Sequence, residues 1–77
     1  MKREHADVYG MIIHNIKHYR HKRGLTQQGL ALRANMSPGY LSQIEAKNYD
    51  KFCSLDMLIT IAEALEIPLY MLFIDKN

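Results

Sequence analysis

The sequence predicts an all-α protein, a compact bundle of five short helices. Three observations carry this. Apolar residues recur at three- and four-residue spacing along most of the chain. The runs are opened by residues that cap or start helices, Thr26, Ser37, Ser54 and Pro68, and closed by residues that accept a sharp turn, Gly24 and Asn35. No stretch alternates apolar and polar residues as a half-buried strand would, and no repeat or low-complexity segment appears.

Residues 1–7 are expected to form an N-terminal extension and residues 8–77 a single domain. The first helix should span 8–23, with Ile12, Ile16 and Tyr19 on its inward stripe, Ile13 on the flank and Gly24 as its stop. Thr26 should cap a second helix that runs to about Ala34 and turns Leu30 and Ala31 inward, with Gly29 weakening it by about 1 kcal/mol relative to alanine. Asn35 tolerates the left-handed conformation, so the chain should turn there. Ser37 is a good cap, and Pro38 suits the first helical position because its missing N–H would have had no partner in the helix. The third helix should therefore run from Pro38 to about Ala46 and bury Leu41 and Ile44. After the loop KNYDKFC, Ser54 should cap a fourth helix, with Asp56 near its positive end and Leu55, Leu58, Ile59, Ala62 and Leu65 on its apolar face. Pro68 should restart a short fifth helix, PLYMLFI.

Composition limits what such a bundle can be. A chain of 77 residues buries only about 60% of its unfolded surface or slightly more, so its core is thin and a partner subunit would help it. One cysteine, Cys53, excludes an internal disulfide framework and favours a reducing compartment. No run of about 18 apolar residues is present and the N-terminus lacks the apolar core of a signal peptide, so no membrane association is expected and the expected location is cytoplasmic. The formal net charge is +2, distributed unevenly: residues 1–23 carry six Lys and Arg against two acids, while residues 51–77 carry two against four. The basic third could face a polyanion, or it could simply be a solvated helix face.

Two short helices joined by a tight turn make a helix-turn-helix, and the details fit: Ala31 is small where the helices approach, Asn35 sits at the turn, and Met36, Leu41 and Ile44 anchor the second of the pair. In order, Arg20, GLTQ, LA, SPGYLSQIE and SLDMLITIAEALEIP form a combination that resembles the phage repressor and Cro-type family, also called the xenobiotic-response-element family, over roughly residues 12–73. The layout is also similar in size to restriction-modification controller proteins. The resemblance implies a lambda-repressor-like DNA-binding domain whose third helix enters the major groove while the start of the second leans on the backbone. It also implies an ion pair between Arg20 and Glu45 that ties the first helix to the third.

In that family the first turn of the third helix points at the DNA, and here it holds Pro38 and Gly39, which have no side-chain donor. Their low bulk would let Ser37, Gly39 and the helix N–H groups come close to a phosphate or the groove floor. Base reading is then expected from Gln43, Tyr40 and Ser42, with Gln43 able to bind adenine at N6 and N7. Gln27 and Gln28 match positions that hold the DNA backbone, and Lys47, Asn48, Lys51 and Arg33 are further phosphate candidates. Relatives commonly place glycine where this chain has Ala46-Lys47, so the turn is expected at Asn48 instead.

His14, His18 and His21 share one face of the first helix, opposite Ile12, Ile16 and Tyr19. Two histidines four apart can chelate zinc, but no cysteine or carboxylate falls at a matching spacing, so an exposed polar face is expected and no metal. Below about pH 6.5 the same histidines would add positive charge. The candidate nucleophiles Ser37, Ser42, Ser54 and Cys53 have no histidine nearby in the expected pattern, so an enzyme is not expected, nor is a cofactor or small-molecule ligand. The expected function is a DNA-binding transcription regulator acting as a homodimer on a near-palindromic operator, with an antitoxin or protein-interaction adaptor on the same fold as the alternative. Homodimerisation is expected through the C-terminal helix, where Leu69, Leu72 and Phe73 should pack inward and leave Tyr70, Met71 and Ile74 for a partner.

Overall fold

The chain runs through α1 (Ala6–Lys22), α2 (Gln27–Arg33), α3 (Pro38–Glu45), α4 (Leu55–Ala64) and a 3-10 helix, Leu69–Phe73. The computed structural model describes residues 5–47 and 53–75, and no strand occurs among them. The candidates Asn48 and Lys51 lie outside the described residues.

Local signals account for the helix starts. Thr26, Ser37 and Ser54 each accept a hydrogen bond from the backbone N–H three residues on, at Gly29, Tyr40 and Met57. The helix ends repeat one device. Gly24, Asn35 and Glu66 take positive φ after α1, α2 and α4, and the following residue donates its N–H back to the carbonyl of Arg20, Ala31 and Ala62 respectively. Those following residues, Leu25, Met36 and Ile67, pack against the core, which is the apolar contact that usually accompanies this turn. At the end of α3 the turn falls on Lys47, with φ 65, rather than on Asn48 as expected. The Lys47 N–H reaches the Ile44 carbonyl at 3.0 Å, a bond that holds the left-handed residue in place despite its Cβ.

The core gathers Ile12, Ile13, Ile16 and Tyr19 of α1 against Leu30 and Ala31 of α2, Leu41 and Ile44 of α3, Leu58, Ile61 and Ala62 of α4, and Leu72. Three expectations are corrected. Helix α1 begins at Ala6, inside the expected extension. On α4 the inward stripe is Leu58, Ile61, Ala62 and Leu65, while Leu55 and Ile59 are exposed. The apolar residues of α4 nearly encircle it, so periodicity permits two faces and packing chooses one. In the last element the inward residue is Leu72, and Phe73 is 40% exposed. The reason is the helix type: at three residues per turn, Leu69 and Leu72 eclipse, and Phe73 falls off the buried side.

Asn15 explains how this segment is held. Its side chain is fully buried, and Nδ2 donates to the carbonyls of Leu72 and Ile74, both at 2.9 Å. A polar residue on an apolar stripe thus fixes the path of the chain 57 residues later. Arg23 does similar work at the end of α4, donating from Nε to the Leu65 carbonyl at 2.8 Å and from Nη2 to that of Glu66 at 3.0 Å. These carbonyls carry the negative end of the helix dipole, so a guanidinium is suited to them.

Candidate nucleic-acid interface

Helices α2 and α3 meet through Leu30, Ala31, Ala34, Leu41 and Ile44, each at most 2% exposed. The alanines allow the close approach, and the turn at Asn35 (φ 56) sets the direction of α3. Burial of Leu41, Ile44 and Glu45 sends the opposite stripe of α3 outward. That stripe is Gly39, Ser42, Gln43 and Ala46, all exposed, at the spacing of one helical face.

The chemistry of this face is unusual for a surface. It has no charge, three of its four side chains are very small, and the fourth is a long amide. Among the described residues, no atom lies within 4 Å of where a Cβ added at Gly39 would stand. The first turns of α1 and α4 carry Asp7 and Asp56 at the positive end of the helix dipole, whereas neither α2 nor α3 has an acid in its first turn.

The one carboxylate of α3 is turned inward. Glu45 is 2% exposed and accepts from Arg20 Nε at Oε2 and from Arg20 Nη2 at Oε1, both at 2.9 Å. Arg20 Nη1 also donates to the Leu25 carbonyl at 3.0 Å. One side chain from α1 therefore grips the loop before α2 and the last turn of α3. Gln27 joins them, its Nε2 donating to Glu45 Oε1 at 3.0 Å. One amide N–H of this phosphate candidate is thus committed inside the chain, a contact the sequence reading missed. Geometry of this kind, two parallel N–H bonds to one carboxylate, fixes orientation better than a lysine could.

The other candidates fall in different settings. Gln28 and Lys47 are exposed. Ser37 is exposed, but its hydroxyl is occupied as the cap of α3. Tyr40 is half-buried and packs on the core, and burial raises its phenol pKa, with Cys53 adding to the shift. Arg33 Nη1 stands 3.5 Å from Glu66 Oε2 across the surface. The basic N-terminal third offers fewer cations than its count implies, because Arg20 is spent on Glu45 and Arg23 on the end of α4.

His14, His18 and His21 are exposed, and no group of three or more His, Cys, Asp or Glu among the described residues could hold a metal ion. Of the candidate nucleophiles, Ser37 and Ser54 are helix caps, and burial pushes the Cys53 thiol up to about 11, so it stays protonated near neutrality. No described helix is long and apolar enough to cross a membrane. At the C-terminus Tyr70, Phe73 and Ile74 are exposed at 64%, 40% and 41%. Met71, expected to face a partner, instead packs partly on the core and lines a groove with Tyr19, Lys22, Arg23 and Ile67. Phe73 takes its place on the outer surface.

Comparison with curated proteins returns no match. Among solved structures, a crystal structure of a hypothetical transcription factor, NHTF from Neisseria, is similar over 99% of this chain and 83% of that one, with a TM-score of 0.84 and 22% sequence identity. At that identity the likeness speaks for the fold. The family model described as a helix-turn-helix domain matches residues 13–77, and with α2, the Asn35 turn and α3 lying inside that span, the chain belongs to the helix-turn-helix domain family.

Proposed function

We propose that this protein is a transcription regulator that binds double-stranded DNA sequence-specifically, as a homodimer on a near-palindromic operator, with α3 in the major groove. The observation that carries the reading is the exposed face of α3: uncharged, small around one amide side chain, and cleared of negative charge because Glu45 is held inside by Arg20. A face of this kind can approach a polyanion without repulsion and without bulk. Gln43, Ser42 and Tyr40 are assigned to the bases, and Gln28, Lys47, the N-terminal N–H groups of α3 and the outer side of Gln27 to the backbone. Membership of the phage repressor and Cro-type branch, and work in the cytoplasm, belong to the same proposal.

The dimer half of the proposal rests on Tyr70, Phe73 and Ile74, three exposed side chains that carry no charge. Such side chains can pack against their own copy across a two-fold axis. Two subunits so joined would present recognition helices to half-sites about one helical turn, roughly 34 Å, apart. Selection from random duplexes at moderate salt tests the whole: an enriched, near-palindromic motif whose binding falls steeply with added salt is the expected result. Selection that enriches nothing overturns the reading and leaves an antitoxin or adaptor role on the same fold.

A further inference from the structure

We propose that the two copies join by reciprocal insertion: Tyr70 of each seats its ring in the groove that Tyr19, Lys22, Arg23, Ile67 and Met71 form on the other. The inference rests on the reading of the protein as a homodimer and goes beyond it to the side chain that is inserted, the cleft that receives it and the arrangement of the copies.

Three segments converge on this groove. Tyr19, Lys22 and Arg23 lie at the end of α1, Ile67 follows α4, and Met71 belongs to the 3-10 helix. Its volume is about 310 Å³. A cavity of roughly 150 Å³ already holds benzene, so an aromatic side chain fits.

The lining selects the kind of occupant. Ile67 and Met71 supply apolar surface, and a thioether sulfur is well placed against the edge of an aromatic ring. Arg23 donates from Nε to the Leu65 carbonyl at 2.8 Å and from Nη2 to the Glu66 carbonyl at 3.0 Å, so its guanidinium is already fixed beside the groove. It loses little freedom when a ring stacks on it. Lys22 is exposed and has no ion-pair partner among the described residues, which leaves a second cation for a π face. An anion is a poorer occupant, because the negative ends of the α1 and α4 dipoles both lie here.

The chain carries a matching ring beside the groove but not in it. Of the described aromatic side chains only Tyr70 and Phe73 are exposed, Tyr70 the more so at 64%. At three residues per turn the 3-10 helix divides into columns: Leu69 and Leu72 toward the core, Tyr70 and Phe73 outward, and Met71 at the groove. Tyr70 therefore stands one column away from the groove of its own chain and does not line it. Ring and groove lie side by side on one patch, which is what a two-fold axis requires if each copy is to give a ring and receive one. A tyrosine suits the position, since its body is buried while the hydroxyl stays wet at the rim, and aromatic anchors seated in pockets carry much of the energy of interfaces.

The test mixes two damaged copies. Tyr70→Ala removes the ring and keeps the groove, whereas Met71→Glu spoils the groove and keeps the ring. Each variant alone loses both contacts of its dimer and, at about tenfold per ring, should dimerise about a hundredfold more weakly than the wild type. In a mixed pair both defects fall on the same contact and the other contact is intact, so the mixture should associate about tenfold more tightly than either variant alone. Sedimentation without DNA, with one variant carrying a fluorescent label, measures all three associations. Circular dichroism verifies the folds. Because Met71 is half-buried, Lys22→Glu, at an exposed position, serves as a second groove variant and should also be complemented by Tyr70→Ala. Two results overturn the insertion while the dimer stands: a Tyr70→Ala protein that dimerises as well as the wild type, or a mixture of Tyr70→Ala with a folded groove variant that associates no more tightly than the geometric mean of the two. A wild type that stays monomeric at high micromolar concentration overturns the dimer reading and this inference together.

Discussion

Replacing Arg20 with methionine removes the cation from a carboxylate that has nowhere to go. Glu45 is 2% exposed, and after Arg20→Met its remaining donor is the Gln27 amide at 3.0 Å. Breaking a buried pair from one side typically costs about 3–5 kcal/mol, because the stranded charge is not rehydrated. Loss of the bond to the Leu25 carbonyl adds about 1 kcal/mol. A domain of this size has roughly 4–12 kcal/mol of total stability, so the single variant should be largely unfolded or close to its threshold. The double variant Arg20→Met/Glu45→Leu leaves no charge behind and fills similar volume, and should recover to within about 1–2 kcal/mol of the wild type. Urea unfolding of the four proteins, followed by circular dichroism, gives the coupling energy directly. The recovered double variant should still bind DNA less well, because no directional bond then ties the last turn of α3 to α1 and the start of α2, leaving apolar packing alone to orient it. An Arg20→Met cost below about 1 kcal/mol, or a double variant no more stable than the single, would refute the account of this pair.

Four further outcomes follow from the same structure. Asn15→Leu should cost about 1–2 kcal/mol, since two carbonyls lose their donor while the unpartnered Oδ1 of Asn15 disappears, and amide exchange should accelerate in residues 69–75 before it does in α1. Lys47→Gly should raise stability by about 0.5–1 kcal/mol by relieving a left-handed lysine, yet should weaken every duplex and lower the salt slope by about one per subunit, which thermal melts and a salt titration would separate. Ile74→Glu should give a folded monomer with much weaker operator binding, and sedimentation of the variant beside the wild type checks it. The Cys53 thiol ionises near 9 when exposed and near 11 in the fold. The folded state therefore holds the extra proton between those values, so the contribution of Cys53 to stability is whole below pH 9 and is lost as pH rises toward 11. Chemical melts of wild type and Cys53→Ala across that range should converge.

By itself the sequence determined the starts of α2, α3 and α4 and two of the helix ends. Thr26, Ser37 and Ser54 cap through the N–H three residues away, and Gly24 and Asn35 accept positive φ cheaply, so these outcomes depend on neighbours within one turn. The helix-turn-helix was legible for the same reason, being two such helices and one such turn, and so was the exposure of Ser42 and Gln43, which follows from the inward placement of Leu41 and Ile44, whereas Tyr40, read with them, packs on the core. Tertiary structure decided everything that needs a partner remote in the chain. It chose Ile61 over Ile59 on α4, because apolar residues lie on both sides of that helix and only the surrounding core can rank them. It placed Lys47 and Glu66 in the left-handed region, where the bonds around the turn outweigh the strain of a Cβ. It drew Gln27 into the Arg20–Glu45 pair and gave Asn15 and Arg23 to carbonyls 42 or more residues away. A local pattern records what a residue prefers. Which buried carbonyl or carboxylate lies within reach of its donors depends on how the helices pack, and that is a property of the folded chain.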